Sequence, residues 1–290
     1  MLVKILSDKA SAVINTLGAE LVSLTDSSDT QYLWQGSEDS WNGQAPNLFP
    51  VVGRLKDQKI IINGGEYSFD SHGFSRKSEF TVVTAEDSKV SLSLKSDENT
   101  KKMYPFDFEF IVTFELDGAR LEQKFEVINS SDEPMTFGIG GHPGFNIPLS
   151  AGEAFEDYRL IFEKNETINA PFFTQKEEID FSKRKNVLTN SNIIDLNYDL
   201  FKNDAIIMDS PASKEVSLVH KKSGKGIKMQ FEDFEYFAFW TKVGAPFLCL
   251  EPWNGLGACA DETSEISSKR GMITIGKNER RAYSFYMTII

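Results

Sequence analysis

Few side chains in this sequence can move a proton near neutral pH. There are three histidines, and two of them, His72 and His142, lie beside glycines. His142 sits inside Gly138–Pro148, which reads Gly-Ile-Gly-Gly-His-Pro-Gly-Phe-Asn-Ile-Pro. Glycine permits positive φ and close backbone approach. Proline fixes its own φ and pushes its predecessor, here His142, towards an extended conformation. The backbone on both sides of this imidazole is therefore tightly specified. Two readings stand: a tight turn holding a structural histidine, or a positioned proton donor. Glu251 follows the apolar run Phe247-Leu248-Cys249-Leu250 and precedes Pro252-Trp253. A histidine and a glutamate act as complementary acid and base if the fold brings them to opposite sides of one substrate.

Two arginines accompany them. Arg54 is the one charged residue in the stretch Ala45–Leu55. Since arginine is rarely buried alone, it either pairs with an internal carboxylate or faces a polar cavity. Arg76 follows His72-Gly73-Phe74-Ser75, a segment that also reads as a surface turn. His220, ahead of Lys221-Lys222, reads as a strand-end surface residue with no role.

Other chemistries lack their residues. The histidines and two cysteines are scattered without zinc-site spacing. No phosphate-cradling Gly-Lys-Ser/Thr loop, Gly-x-Ser-x-Gly elbow or calcium loop is present. Neither a metal nor a cofactor is expected. Cys249 and Cys259 can form at most one disulfide, and reduced thiols in a cytoplasmic protein are the preferred reading. The net charge of −12 argues against nucleic-acid binding; a small anion would need only two or three local cations. The N-terminus lacks a signal-peptide core, and no run nears the ~18 apolar residues of a membrane helix.

The elements that must position these residues read as strands. Phenylalanine is frequent, at 23 residues, and aromatics favour pleated, half-buried surfaces. Phe106, Phe108, Phe110, Val112, Phe114 and Leu116 alternate with mostly polar neighbours, which predicts a strand. Asp117-Gly118 predicts a hairpin turn, and Leu121, Gln123, Phe125 and Val127 its return strand. Short strands are expected at 13–14, 21–24, 32–34, 82–94 (split at 86–88), 158–162, 205–208, 216–219, 227–231, 237–240, 247–251 (with Glu251 at its end), 273–275 and 283–289. Residues 165–185 read as loop with a short strand or two. No helix longer than a few turns is expected. Turns every eight to twelve residues predict an all-β protein, a large antiparallel β-sandwich of roughly twenty strands, with residues 1–290 forming one domain.

Six segments in order resemble one family: Leu17-Gly18-Ala19-Glu20-Leu21, Tyr32-Leu33-Trp34, Asn47–Leu55, His72-Gly73-Phe74-Ser75-Arg76, Gly140–Asn146 and Leu250-Glu251-Pro252-Trp253. They are similar to those of the aldose 1-epimerases, or galactose mutarotases, and in particular of the LacX-like bacterial branch. The resemblance implies the galactose-mutarotase-like supersandwich, with an open cleft for a pyranose across one sheet. It implies that Glu251 removes the proton of the anomeric hydroxyl and that His142 protonates the ring oxygen. The ring then opens, the C1 end rotates, and reclosure gives the other anomer. It also implies that His72 and Arg54 bind the sugar, that Asp204 holds its hydroxyls although the family's usual Asp-His pair is missing, and that Trp253 either stacks on the sugar or packs in the core.

The implied partner is a small aldohexose, for a monomer or homodimer in the cytoplasm. Three alternatives remain. A hexose-6-phosphate mutarotase would use Arg76, Lys77 and Lys242 for the phosphate. A non-catalytic sugar-binding or sensing protein could share the fold. A β-sandwich interaction module would leave the motif order unexplained.

Overall fold

The longest alternations of the sequence become the centre of the largest sheet. In Phe108–Asp117 alternate side chains are buried, and the strand pairs with Arg120–Asn129 across the Asp117-Gly118 turn. The computed structural model describes all residues, Met1–Ile290. It contains 22 strands and a single α-helix of four residues, Glu98–Lys101, so the chain is all-β.

Nine strands form one antiparallel sheet. From edge to edge they run Ile179–Asp195, Tyr158–Phe173, Glu215–His220, Gly226–Gln230, Arg280–Ile289, Arg120–Asn129, Phe108–Asp117, Lys89–Lys95 and Thr81–Ala85. A second sheet has Ile206–Met208, Tyr236–Trp240, Phe247–Asn254, Ile139–Gly141 and Asn47–Leu48 in that order, with Gly144–Asn146 also paired to Phe247–Asn254. Leu2–Leu6, Ala10–Asn15 and Glu20–Asp26 make a third, smaller sheet.

The second sheet carries the site because its two faces differ. Successive side chains on a strand point to opposite faces. Leu248 and Leu250, with Phe237, Phe239, Ile206 and Met208 of neighbouring strands, point into a cluster of 60 buried apolar residues. That cluster extends to Phe125 and Phe285 of the nine-stranded sheet. Cys249, Glu251 and Trp253, one residue out of phase, face the other way.

Four expectations are corrected. Residues 165–185 are not mainly loop but belong to the long hairpin Tyr158–Phe173 and Ile179–Asp195. Its register shifts repeatedly through bulges, and much of its second strand is exposed. Tyr32–Trp34 is not a strand; Gln31 and Leu33 form isolated bridges. Gly138–Pro148 is not a tight turn, because Ile139–Gly141 and Gly144–Asn146 are strands and none of its glycines has positive φ. His220 does end a strand but is buried, with Nδ1 2.9 Å from Ser223 Oγ. Both cysteines are free and buried. No helix is long and apolar enough to cross a membrane.

Candidate active site

His142 and Glu251 meet because of strand register. Ile139 and Gly140 pair with Asn254 and Trp253, and Gly144 pairs with Cys249. The register is the same on both sides of the gap, so His142 falls opposite Glu251. Pro143 has no N–H to donate, but its carbonyl still accepts from Leu250 N–H at 3.1 Å. Directly opposed residues in an antiparallel pair have neighbouring side chains. His142 Nε2 accordingly lies 3.1 Å from Glu251 Oε2. The contact is not a well-aligned hydrogen bond: Glu251 Oε2 and His142 Nδ1 are both buried without a hydrogen-bond partner.

The glycines around His142 make room for aromatic rings. A Cβ at Gly140 would lie 2.6 Å from Trp253 Cδ1, and one at Gly144 would lie 2.9 Å from Trp41 Cζ3. Trp41 stacks on the His142 ring with centroids 4.9 Å apart. His72 and Trp240 meet the same ring edge-on at 5.4 and 6.0 Å. The imidazole is thus held on three sides by flat groups.

His72 is anchored by the backbone of Gly53. Its N–H donates to Gly53 O at 2.8 Å, and Gly53 N–H donates to His72 Nδ1 at 3.2 Å. With Nδ1 accepting, the neutral ring carries its proton on Nε2. The segments quoted from the sequence also brace one another. The buried Asn47 amide donates to the carbonyls of Gly18 and Ala19, and Ser75 Oγ donates to Asn47 O.

A cavity of about 280 Å³ brings together His142, Glu251, His72, Arg54, Asp204 and Trp253. This is near the lower end of the roughly 300–1,000 Å³ of small-molecule sites. Arg54 is exposed at its edge and forms an ion pair with Glu177, itself half-exposed. Both sequence readings are therefore met in part: the arginine faces a polar cavity, and its carboxylate partner is at the surface rather than internal. Asp204 is exposed, with positive φ of 83°. Trp253 is 6% exposed and belongs to an apolar cluster, so it is largely core with one edge in the cavity.

Arg76 is a correction: it does not line this cavity. Its Nε is buried without a hydrogen-bond partner, and it reaches the site only through its charge. Lys77 and Lys242 are also elsewhere. The first pairs with Asp70, and the second donates to Asp39 O at 3.0 Å. Trp41, Trp240 and Glu177 line the cavity but escape the sequence reading. Trp240 carries a signal, since it shares a strand face with Ala238, the partner of Glu251. A lone tryptophan in the polar loop 36–44 is a weaker one, and Glu177 has none.

Burial dominates the electrostatics. It pushes the Glu251 carboxyl well above its ordinary range, and the nearby negative charge of Asp204 pushes it further. Burial pulls His142 down to about 4; a contact with its own backbone opposes this in part, and the charge of Arg76 adds a smaller downward pull. His72 is also held well below its ordinary range by burial, then by His142, Arg76 and Arg54. By burial alone the His142–Glu251 pair therefore favours neutral partners, with one proton between them on the carboxyl. Two ionisable groups shifted in opposite directions by burial and in contact inside a cavity make a candidate site for proton transfer.

Comparison with known proteins agrees with this geometry. The family model described as Aldose 1-epimerase matches residues 1–270. The plasmid and chromosomal LacX proteins of Lactococcus lactis subsp. lactis are each 34% identical over 298 aligned positions, covering all of both chains. A galactose mutarotase related enzyme from Lactobacillus acidophilus superposes with a TM-score of 0.95 at 33% identity, over 100% of this chain and 97% of its own. A galactose mutarotase-like protein from Lactobacillus casei gives 0.92 at 26%, over the full length of both. The chain belongs to the aldose 1-epimerase family, has its galactose-mutarotase-like fold, and is an isomerase of the epimerase kind acting on a small sugar.

Proposed function

We propose that the protein interconverts the α and β anomers of a free aldohexose, with Glu251 as base and His142 as acid. The observation that carries this reading is the direct opposition of the two residues inside a cavity sized for one pyranose. Glu251 accepts the proton of the C1 hydroxyl as the C1–ring-oxygen bond breaks. His142 delivers a proton to the departing ring oxygen, giving the open-chain aldehyde. Rotation about C1–C2 and the reverse transfers give the other anomer. The pair begins and ends holding one proton, so no external donor is consumed.

The reaction starts from carboxylate and imidazolium, whereas burial alone favours carboxyl and imidazole. Both forms have the same net charge and differ by one proton transfer across the 3.1 Å contact. A sugar that donates its anomeric hydroxyl to the carboxylate and accepts at its ring oxygen stabilises the charged form. In this reading His72 Nε2–H, Arg54 and Asp204, which line the cavity, bind hydroxyls, and the edge of Trp253 meets a ring face. A positioned acid and a positioned base each supply ~10²–10⁴-fold, enough for a reaction already measurable in water.

The phosphate-sugar alternative has little support, because Arg76, Lys77 and Lys242 all lie outside the cavity. The test is polarimetry on freshly dissolved α-D-galactose and α-D-glucose, with His142→Asn and Glu251→Gln beside the parent. Acceleration by the parent and its loss in both variants is the expected result. Sugar binding with no acceleration by the parent would instead identify a non-catalytic sugar-binding protein.

A further inference from the structure

Cys249 points to the same side of its strand as Glu251, two residues on, yet the acid–base pair gives it no role. Three metal-ligating side chains therefore converge. A ring nitrogen of His142, the Cys249 sulfur and a Glu251 carboxylate oxygen all lie within 4.8 Å of one another. All three residues are buried, at 9%, 0% and 1% exposure. Strand register rather than linear spacing assembles them, since Gly144 is the partner of Cys249. Gly144 has no side chain, and a Cβ there would lie 3.5 Å from Cys249 Sγ.

The protein leaves these atoms with ligand capacity to spare. Glu251 Oε2 is buried without a hydrogen-bond partner, and Cys249 is a free thiol. A tetrahedral zinc ion holds nitrogen, oxygen and sulfur ligands at ~2.0–2.3 Å, which sets them roughly 3.3–3.7 Å apart. His142 Nε2 and Glu251 Oε2, at 3.1 Å, are already near that spacing. The sulfur has to close by about 1 Å at most. His72 does not complete the set. Its Nδ1 accepts from Gly53 N–H, so its Nε2 carries the proton and has no lone pair to give. The fourth position faces the cavity that His142 and Glu251 line. One thiolate, one imidazole and one carboxylate suit a soft or borderline cation, whereas Mg²⁺ and Ca²⁺ call for mainly oxygen ligands.

We infer that His142, Cys249 and Glu251 form a binding site for a thiophilic divalent cation of the zinc and cadmium type, which shuts off the acid–base pair. The inhibition rests on the mutarotase reading above; the binding does not. The cation displaces the thiol proton to solvent and occupies the lone pairs of the imidazole and the carboxylate. Neither group can then exchange a proton with a sugar.

The test treats chelator-dialysed protein with Cd²⁺ or Zn²⁺. A single equivalent of Cd²⁺ should produce the ultraviolet thiolate-to-metal charge-transfer band. Zn²⁺ should suppress polarimetric anomerisation, sugar should weaken that inhibition, and chelator should restore the rate. Mg²⁺ and Ca²⁺ should do neither. Cys249→Ala should abolish the band and weaken Zn²⁺ inhibition by roughly tenfold or more, with metal-free turnover within about twofold of the parent. Cys249→Ser replaces it if the alanine variant folds poorly, and Cys259→Ala should keep both responses. No band in the parent, or a band or inhibition that survives loss of the Cys249 sulfur, would overturn the site. Cadmium or zinc bound at Cys249 with turnover intact would overturn the shut-off. Absence of anomerisation with any sugar would sink the mutarotase reading alone, because the band and its loss still test the ligands.

Discussion

Replacing Glu251 by glutamine separates what the residue does for the reaction from what it costs the fold. The carboxyl is 1% exposed and its Oε2 has no hydrogen-bond partner. A buried polar atom left unpaired costs about 1–3 kcal/mol. Because burial raises the folded-state pKa above the ordinary 4.5, the folded protein keeps a proton that the unfolded chain releases. Stability is then lost as pH rises from about 4.5 towards the folded value, by about 1.4 kcal/mol for each pH unit crossed. Glutamine keeps the shape and cannot titrate. Urea unfolding of parent and Glu251→Gln at half-unit steps from pH 5 to 8 measures the difference. The variant should gain on the parent as pH rises, reaching about 1–3 kcal/mol, while its anomerisation rate falls ~10²–10⁴-fold. His72 and His142 act in the opposite direction, because their folded values lie below 6.5 and their contribution is lost as pH falls through that value. His72 titrates in both proteins, and any slope above about pH 7 is free of both histidines. Parallel stability curves, or a parent more stable than the variant at every pH, would refute the account of a desolvated, unpaired carboxyl.

Three further outcomes follow from the same geometry. Gly140→Ala drives a Cβ to 2.6 Å from Trp253 Cδ1 and 2.7 Å from Pro252 O, and should destabilise by about 1–3 kcal/mol in urea titration. Arg76→Gln should leave KM within about twofold, since Arg76 lies outside the cavity, but should move the acid limb of the pH–rate profile to higher pH. The direction follows from its positive charge, which lowers both His142 and His72. Trp41→Ala removes the ring stacked on His142 and should lower kcat by roughly tenfold or more. Because Trp41 also packs on Trp240 and Phe247, the urea midpoint should fall as well, and kcat is compared at a temperature where both proteins are fully folded.

How much of this can be read from the chain depends on where burial is one-sided. Phe108–Asp117 and Arg120–Asn129 each bury every second residue, so alternation marks them clearly. The hairpin Tyr158–Phe173 and Ile179–Asp195 gives that signal only at its start, where Tyr158, Leu160 and Phe162 are buried in alternation. It forms the edge of its sheet, much of its second strand is exposed, and its bulges shift the register. Along most of the second strand neither face has to be apolar, and at the bulged middle of the first the alternation is broken, so polar residues such as Asn165 and Lys185 resemble loop. The glycines of Gly138–Pro148 do signal close approach, but the neighbours that require it, Trp41 and Trp253, are distant in sequence.

The candidate pair shows the limit most clearly. Each residue type is visible: a histidine between glycine and proline, and a glutamate ending an apolar run. Their meeting depends on pairing between strands far apart in sequence, interrupted at Pro143 and resumed without a slip. A slip of one residue would place Leu250 or Pro252 opposite His142 and turn Glu251 towards the apolar core. That register is held from both ends: Trp253 fills the space over Gly140, and Trp41 the space over Gly144. The glycines thus do more than admit two rings. They allow the strand pairing that sets an imidazole and a carboxyl 3.1 Å apart on the cavity side of the sheet.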